Sequence, residues 1–227
     1  MAYGNASAMS LALFDLDGTL VDQESAAKRW VKDLVRASSL PDALVTPIAT
    51  ALSQRRPKGE VFADIVEEFS LPWDPEALWE QYRVQTPGLV QCAAADLDAL
   101  RRLRDAGWTL GIITNGETDN QEGKIRSTGL SDLVDGWAIS AEAGYRKPDP
   151  ALFRLIADRL GKPLDGWMVG DGLDADIVGG AAVGLQTILI AKDSSESRDA
   201  MAGRVPPTAI VPDVATAAGL ILDASHD

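Results

Sequence analysis

The chain predicts an α/β protein, a doubly wound parallel-sheet (Rossmann-like) core with a small all-helical domain inserted near its start. Three observations predict it. The apolar run Leu11-Ala12-Leu13-Phe14 stops abruptly on a polar turn, as a buried strand does. From Val21 to about residue 90 only helical spacing occurs. From Cys92 onward, short apolar runs alternate with amphipathic stretches, the pattern of strand–helix–strand units.

The opening Met1–Ala8 has no basic residue and no apolar stretch of signal-peptide length. The first nine residues are expected to form a loose tail, with Met9 a second possible start. After the first strand, helices are expected over Ala26–Ser38, Ala43–Gln54, Gly59–Phe69 and Pro75–Arg83, with prolines at 41, 47, 57, 72, 75 and 87 keeping them short. Trp30, Val31, Leu34 and Val35 mark the inward face of the first, and Val61, Phe62, Ile65, Val66 and Phe69 that of the third. Residues 22–90 are therefore read as the inserted helical domain, and 10–21 with 91–227 as the core. Trp30, Trp73, Trp79 and Tyr82 are assigned to the packing of the insert.

In the core, Asp96–Ala106 carries Leu97, Leu100 and Leu103 on one face and ends at Gly107. Trp108–Ile113 is a strand closed by Thr114-Asn115-Gly116, and a helix to Thr128 ends at Gly129. A short strand around Trp137–Ile139 follows. Asp149-Pro150 opens a helix with Leu152, Phe153, Ile156 and Leu160 inward, ending at Gly161. Gly166–Val169 is a strand breaking into Gly170-Asp171, followed by a helix from about Asp174 to Val183 and the strand Leu185–Ile190. Ala209–Val211 and Val214–Leu222 complete the alternation, while Lys192–Pro207 reads as a surface excursion.

Composition narrows the function. The 227 residues carry a formal charge of −13, which disfavours nucleic acid or an anionic membrane as partner. No apolar run has membrane-spanning length. A lone cysteine, Cys92, fits a reducing cytoplasm and is read as a small core residue. The sole histidine is His226, so histidine-based triads and metal sites are excluded. Chemistry is left to carboxylates, lysine, hydroxyls and backbone.

Those groups collect at strand ends. Asp15 and Asp17 follow the first strand, Thr114 and Asn115 the second, and Asp171 through Asp176 a later one, with Lys147 at the head of a helix. In a parallel sheet such ends share one edge, so these residues become neighbours. Buried carboxylates there need a proton or a cation in attendance. Taken singly, each has a plainer reading: Thr114-Asn115-Gly116 is common turn chemistry, Lys147 a surface charge and Asp174 a helix cap.

Taken together, Asp15-Leu16-Asp17-Gly18-Thr19-Leu20 resembles the first motif of the haloacid dehalogenase-like (HAD) hydrolase superfamily. Thr114-Asn115-Gly116 resembles its second motif, Lys147-Pro148 its third, and Gly170-Asp171 with Asp176 its fourth. Ala175 departs from the polar residue common there. The insert is placed like the helical cap of one subfamily. The resemblance implies a phosphatase in which Asp15 attacks phosphorus and Asp17 protonates the leaving oxygen, then activates water. Thr114, Asn115 and Lys147 would bind the phosphate. Mg²⁺ would be held by the Asp15 side chain, the Asp17 carbonyl and Asp171, with Asp176 supporting its water. The expected substrate is a small phosphorylated metabolite. Phosphomutase and, less favoured because of Asp17, carbon–halogen hydrolysis are the alternatives, and a non-catalytic binding protein the remaining one. Arg55 and Arg56, beside Lys58, form the densest basic cluster of the cap and are its candidate substrate contacts. Oligomeric state, monomer or homodimer, stays open.

Overall fold

The computed structural model describes residues 11–54, 56–191 and 204–224. The N-terminal tail with Met9, Arg55, His226 and most of the Lys192–Pro207 excursion lie outside the described residues.

Six strands form one parallel sheet: β1 (Leu11–Phe14), β2 (Thr109–Thr114), β3 (Gly136–Ile139), β4 (Gly166–Gly170), β5 (Gln186–Ile190) and β6 (Ala209–Val211), in the order β3-β2-β1-β4-β5-β6. The first strand is thus central, paired with β2 on one side and β4 on the other. The winding reverses between β1 and β4, and in open α/β sheets the crevice beyond the strand ends at that point is the ligand site. Alternation along β1 explains the two-sided core. Ala12 and Phe14 join the cluster that holds Leu100, Leu103 and Ile221, whereas Leu11 and Leu13 join Leu152, Phe153 and Ile156 on the opposite face.

Between β1 and β2 lie α1 (Gln23–Ala37), α2 (Val45–Leu52), α3 (Lys58–Glu68) and α4 (Pro75–Gln85), with a turn of 3₁₀ helix at Asp42–Leu44 and another at Thr86–Gly88. Asp22 and Asp74 cap α1 and α4 through the amides of Ser25 and Ala77. These helices close on a cluster of their own. Trp30 meets Tyr82 edge to face with centroids 5.1 Å apart, and Phe62 lies 5.4 Å from the same ring. Trp73 and Trp79 pack half-buried at its margin.

The core helices are α5 (Ala94–Asp105), α6 (Thr118–Ser127), α7 (Ser140–Ala143), α8 (Pro150–Leu160), α9 (Gly179–Ala182) and α10 (Val214–Asp223). The four-residue α7 is too short for periodicity to reveal. Three expectations are corrected. The segment expected as one helix from Asp174 is π-helical over Leu173–Val178 and α-helical only from Gly179. Asp174 caps nothing there; it is exposed and pairs with Arg204, at 2.8 Å. Cys92 is half-buried at the edge of the core cluster, not within it. Among the described residues, no helix is long and apolar enough to cross a membrane.

Candidate active site

The site begins where β1 runs out. The Asp15 amide still donates to the Val169 carbonyl of β4 at 2.9 Å, so its side chain leaves the sheet at the reversal point. The chain then folds back on itself. Leu20 and Val21 both donate to the Leu16 carbonyl, and Gly18 donates to the Val21 carbonyl at 3.0 Å. Leu16 is buried in the core, which turns Asp15 and Asp17 on either side of it toward the crevice. Gly18 has φ +85°, and a Cβ on it would collide with the Asp171 carboxylate. Only glycine permits both the turn and the approach.

Asp15, Asp171 and Asp176 each offer a carboxylate oxygen within 4.8 Å of the others. Lys147 enters this cluster from the loop before α8. Its Nζ donates to Asp15 Oδ1 at 2.6 Å and to the Ile113 carbonyl at 2.7 Å, and pairs with Asp176 Oδ1 at 2.7 Å. The ammonium thus has two hydrogen-bond acceptors and a second carboxylate in ion-pair contact. The other oxygen of Asp176 accepts the Gly172 N–H at 2.8 Å. A Cβ at Gly170 would overlap the Asp176 carboxylate, so that glycine makes room for it.

The electrostatics are lopsided. Burial pushes Asp15 up to about 8, the charges of Asp176 and Asp171 add to that, and Lys147 opposes it. Burial also pulls on the Lys147 ammonium, but Asp15 and Asp176 outweigh it and leave lysine above its ordinary value. Three carboxylates face one buried ammonium.

Thr114 ends β2 fully buried, and its Oγ1 accepts from Gln121 Nε2 at 2.6 Å. Asn115 Nδ2 donates to the Lys147 carbonyl at 3.1 Å and its Oδ1 accepts the Lys147 N–H at 2.9 Å. Its side chain is committed to holding the lysine loop.

Asp17 stands beside this cluster with its carboxylate partly exposed. Lys124 Nζ donates to its two oxygens at 2.9 and 3.0 Å, and Gln121 Nε2 to Oδ2 at 3.0 Å. The Gln23 amide, oriented by its surroundings with nitrogen toward Asp17, lies 2.6 and 2.7 Å from the same oxygens. Tyr82, from α4, stands near enough that the Asp17 charge adds to burial in raising its phenol. Arg56 is elsewhere. It contacts Asp64, Gln54 Oε1 at 2.8 Å and Glu60 at 3.8 Å, all within the helical unit.

Sequence reasoning missed Gln23, Tyr82, Gln121 and Lys124. One signal was available. The helix after Thr114-Asn115-Gly116 places Gln121 and Lys124 three residues apart, hence on one face, and that face is buried although polar.

A family model described as haloacid dehalogenase-like hydrolase matches residues 9–184. The chain belongs to that family. Among curated relatives of this hydrolase, the ribulose-1,5-bisphosphate 5-phosphatase of Halopiger xanaduensis is 39% identical over 126 residues, 55% of this chain and 50% of that enzyme. The match therefore spans half the length of that relative. The glyceraldehyde 3-phosphate phosphatase of Pyrococcus abyssi is 28% identical over 201 residues, covering 79% of this chain and 80% of that enzyme. Of the solved structures, the HAD-hydrolase YfnB from Bacillus subtilis bound to magnesium superposes with a TM-score of 0.77 at 21% identity, covering 94% of this chain and 99% of that one. At that identity the likeness speaks for the fold.

Proposed function

We propose that this hydrolase is a Mg²⁺-dependent phosphatase of a small phosphorylated metabolite, working through an aspartyl phosphate on Asp15. The observation that carries the reading is the Asp15–Asp171–Asp176 cluster with one buried lysine, beside a fourth, partly exposed carboxylate, Asp17. The phosphatase names of its relatives support the same reaction.

The donor set fits a hard divalent cation: among the described residues it offers oxygen ligands only, and it carries more negative charge than Lys147 balances. Asp15, Asp171 and the Asp17 carbonyl would hold it, with Asp176 behind them. When bound, it would supply charge to bring a phosphate dianion among carboxylates.

The residues then divide the work. An Asp15 oxygen attacks phosphorus as the bond to the substrate oxygen breaks, and the Asp17 carboxyl gives that oxygen its proton. The resulting Asp17 carboxylate takes a proton from water, whose oxygen attacks phosphorus and releases phosphate from Asp15. Lys147 holds Asp15 in place and offsets charge on the transferring group. Thr114, with the Asn115 backbone, donates to phosphate oxygens. The helical unit, 22–90, acts as a cap that selects the rest of the substrate, with Arg55 and Arg56 as the contacts proposed from sequence for a second anionic group. Asp17 disfavours carbon–halogen hydrolysis, because a departing halide needs no proton.

The test is hydrolysis of a panel of phosphorylated metabolites and p-nitrophenyl phosphate, with Mg²⁺ and after EDTA. Activity should require the metal and vanish in Asp15→Asn. Unchanged turnover in a folded Asp15→Asn, checked by mass for deamidation, would remove Asp15 as nucleophile.

A further inference from the structure

We propose that Lys124 and Gln121 of α6 are positioning residues for Asp17, holding its carboxylate at the distance from Thr114 that proton transfer requires. This rests on the acid–base reading of Asp17 given above.

Lys124 is a second buried ammonium in a strongly acidic chain, and the Asp15 cluster does not need it, since Lys147 already serves there. A buried ammonium survives only with good partners. Its partners are both oxygens of Asp17 and Gln121 Oε1, 3.0 Å away. The burial is one-sided: the Lys124 side chain is 2% exposed and that of Asp17 23%. The lysine thus grips the carboxylate from behind while its other side opens on the crevice.

Gln121 ties that grip to the phosphate pocket. One amide nitrogen donates both to Asp17 Oδ2 and to Thr114 Oγ1, so the proposed proton carrier and phosphate donor are set by a single group. The sequence makes space for it. A Cβ on Gly116 would come within 2.9 Å of Gln121 Cγ and Cδ, so the glycine after Thr114-Asn115 is what lets the amide pass.

The helix that carries the pair is itself anchored. An adjoining flank docks the end of the cap: Asn120 Nδ2 donates to the Arg83 carbonyl at 2.6 Å and to Thr86 Oγ1 at 3.0 Å, and Arg83 Nε pairs with Asp119 at 3.2 Å. Gly123 lies against Pro87, where a Cβ would be 2.8 Å from the ring. Residues 120 and 123 face the cap segment, and 121 and 124 face Asp17. A helix fixed against its neighbours is what a positioning device needs, because small displacements of an acid–base group cost large factors in rate.

The experiment uses the full chain with Mg²⁺, single-turnover alcohol release from n-butyl phosphate and from p-nitrophenyl phosphate, and inhibition by inorganic phosphate. The variants are Lys124→Met, Lys124→Arg, Gln121→Leu, Asp17→Asn and the double variant Asp17→Asn/Lys124→Met. Lys124→Met and Gln121→Leu should slow the butyl ester about 10²-fold, within the range of general acid catalysis, and the nitrophenyl ester far less. Phosphate inhibition should be unchanged in Lys124→Met, and Lys124→Arg should recover part of the loss. The double variant should be no slower than Asp17→Asn, since residues acting as one unit are not additive. Equal losses on both esters, or losses that multiply in the double variant, overturn the proposal and leave the Asp17 reading standing. Full activity of Asp17→Asn removes that reading and this proposal with it. Should Lys124→Met fail to fold, Gln121→Leu and Lys124→Arg decide on the same comparisons.

Discussion

Asn115 holds Lys147 by its backbone: the amide nitrogen donates to the lysine carbonyl at 3.1 Å while the amide oxygen accepts the lysine N–H at 2.9 Å. The two lie 32 positions apart, and the pairing fixes the loop that delivers Nζ to Asp15 and Asp176. Asn115→Ala should therefore act through Lys147. Two lost hydrogen bonds predict a destabilisation of about 1–3 kcal/mol. Turnover should fall by more than that loss explains at saturating folded protein. Denaturant unfolding together with kcat checks it; loss of stability without loss of kcat would confine Asn115 to the fold.

The proposed Mg²⁺ site on the Asp15 cluster predicts a pH-dependent metal effect. Burial raises the Asp15 carboxyl from 3.8 to about 8, so the folded state holds a proton that the unfolded chain releases near 4. Its contribution to stability is full below about 4 and is lost as pH rises toward 8. A divalent cation binds the ionised form and relieves that loss. Added Mg²⁺ should raise Tm more at pH 8 than at pH 5, and the difference should shrink in Asp15→Asn. A Tm shift equal at both pH values would contradict the assignment of Asp15 to the metal.

Gly18 combines a positive φ with a side of the chain occupied by Asp171. Gly18→Ala meets both penalties, the left-handed conformation alone costing roughly 1–2 kcal/mol. The displaced Asp171 should weaken Mg²⁺ binding, measured by calorimetry, by more than Gly107→Ala, whose glycine also has positive φ but no neighbour within 4 Å. Equal metal affinity in the two variants would show that Asp171 gives way freely.

In the helical unit, Arg56 is held by Asp64, Gln54 and Glu60. Arg56→Ala should raise KM for a substrate with a second anionic group and leave p-nitrophenyl phosphate unchanged, as expected when a remote group is bound equally in ground and transition states. Unchanged KM for both substrates would reduce Arg56 to a cross-link within the helical unit.

The division between what the sequence determined and what the tertiary structure decided follows the range of the interactions. Leu11–Phe14, Thr109–Thr114 and Gly166–Gly170 were legible as strands, and Asp15, Thr114 and Asp171 as residues at their ends, because hydrophobic period and turn chemistry act over a few neighbours. Four motifs in one order were enough to place the chain in its family. Sequence favoured Asp176 over Asp174 on spacing alone, and packing sets the two apart: the π-helical turn after Gly172 buries Asp176 against Lys147 and leaves Asp174 outside with Arg204. The same holds for Lys124, which as a residue of a polar helix looks like solvated surface. Its partner, Asp17, is 107 positions away and meets it only when β1 and β2 pair and α6 follows β2 onto the same edge. A charge's burial is a property of everything folded around it, and no local pattern carries that.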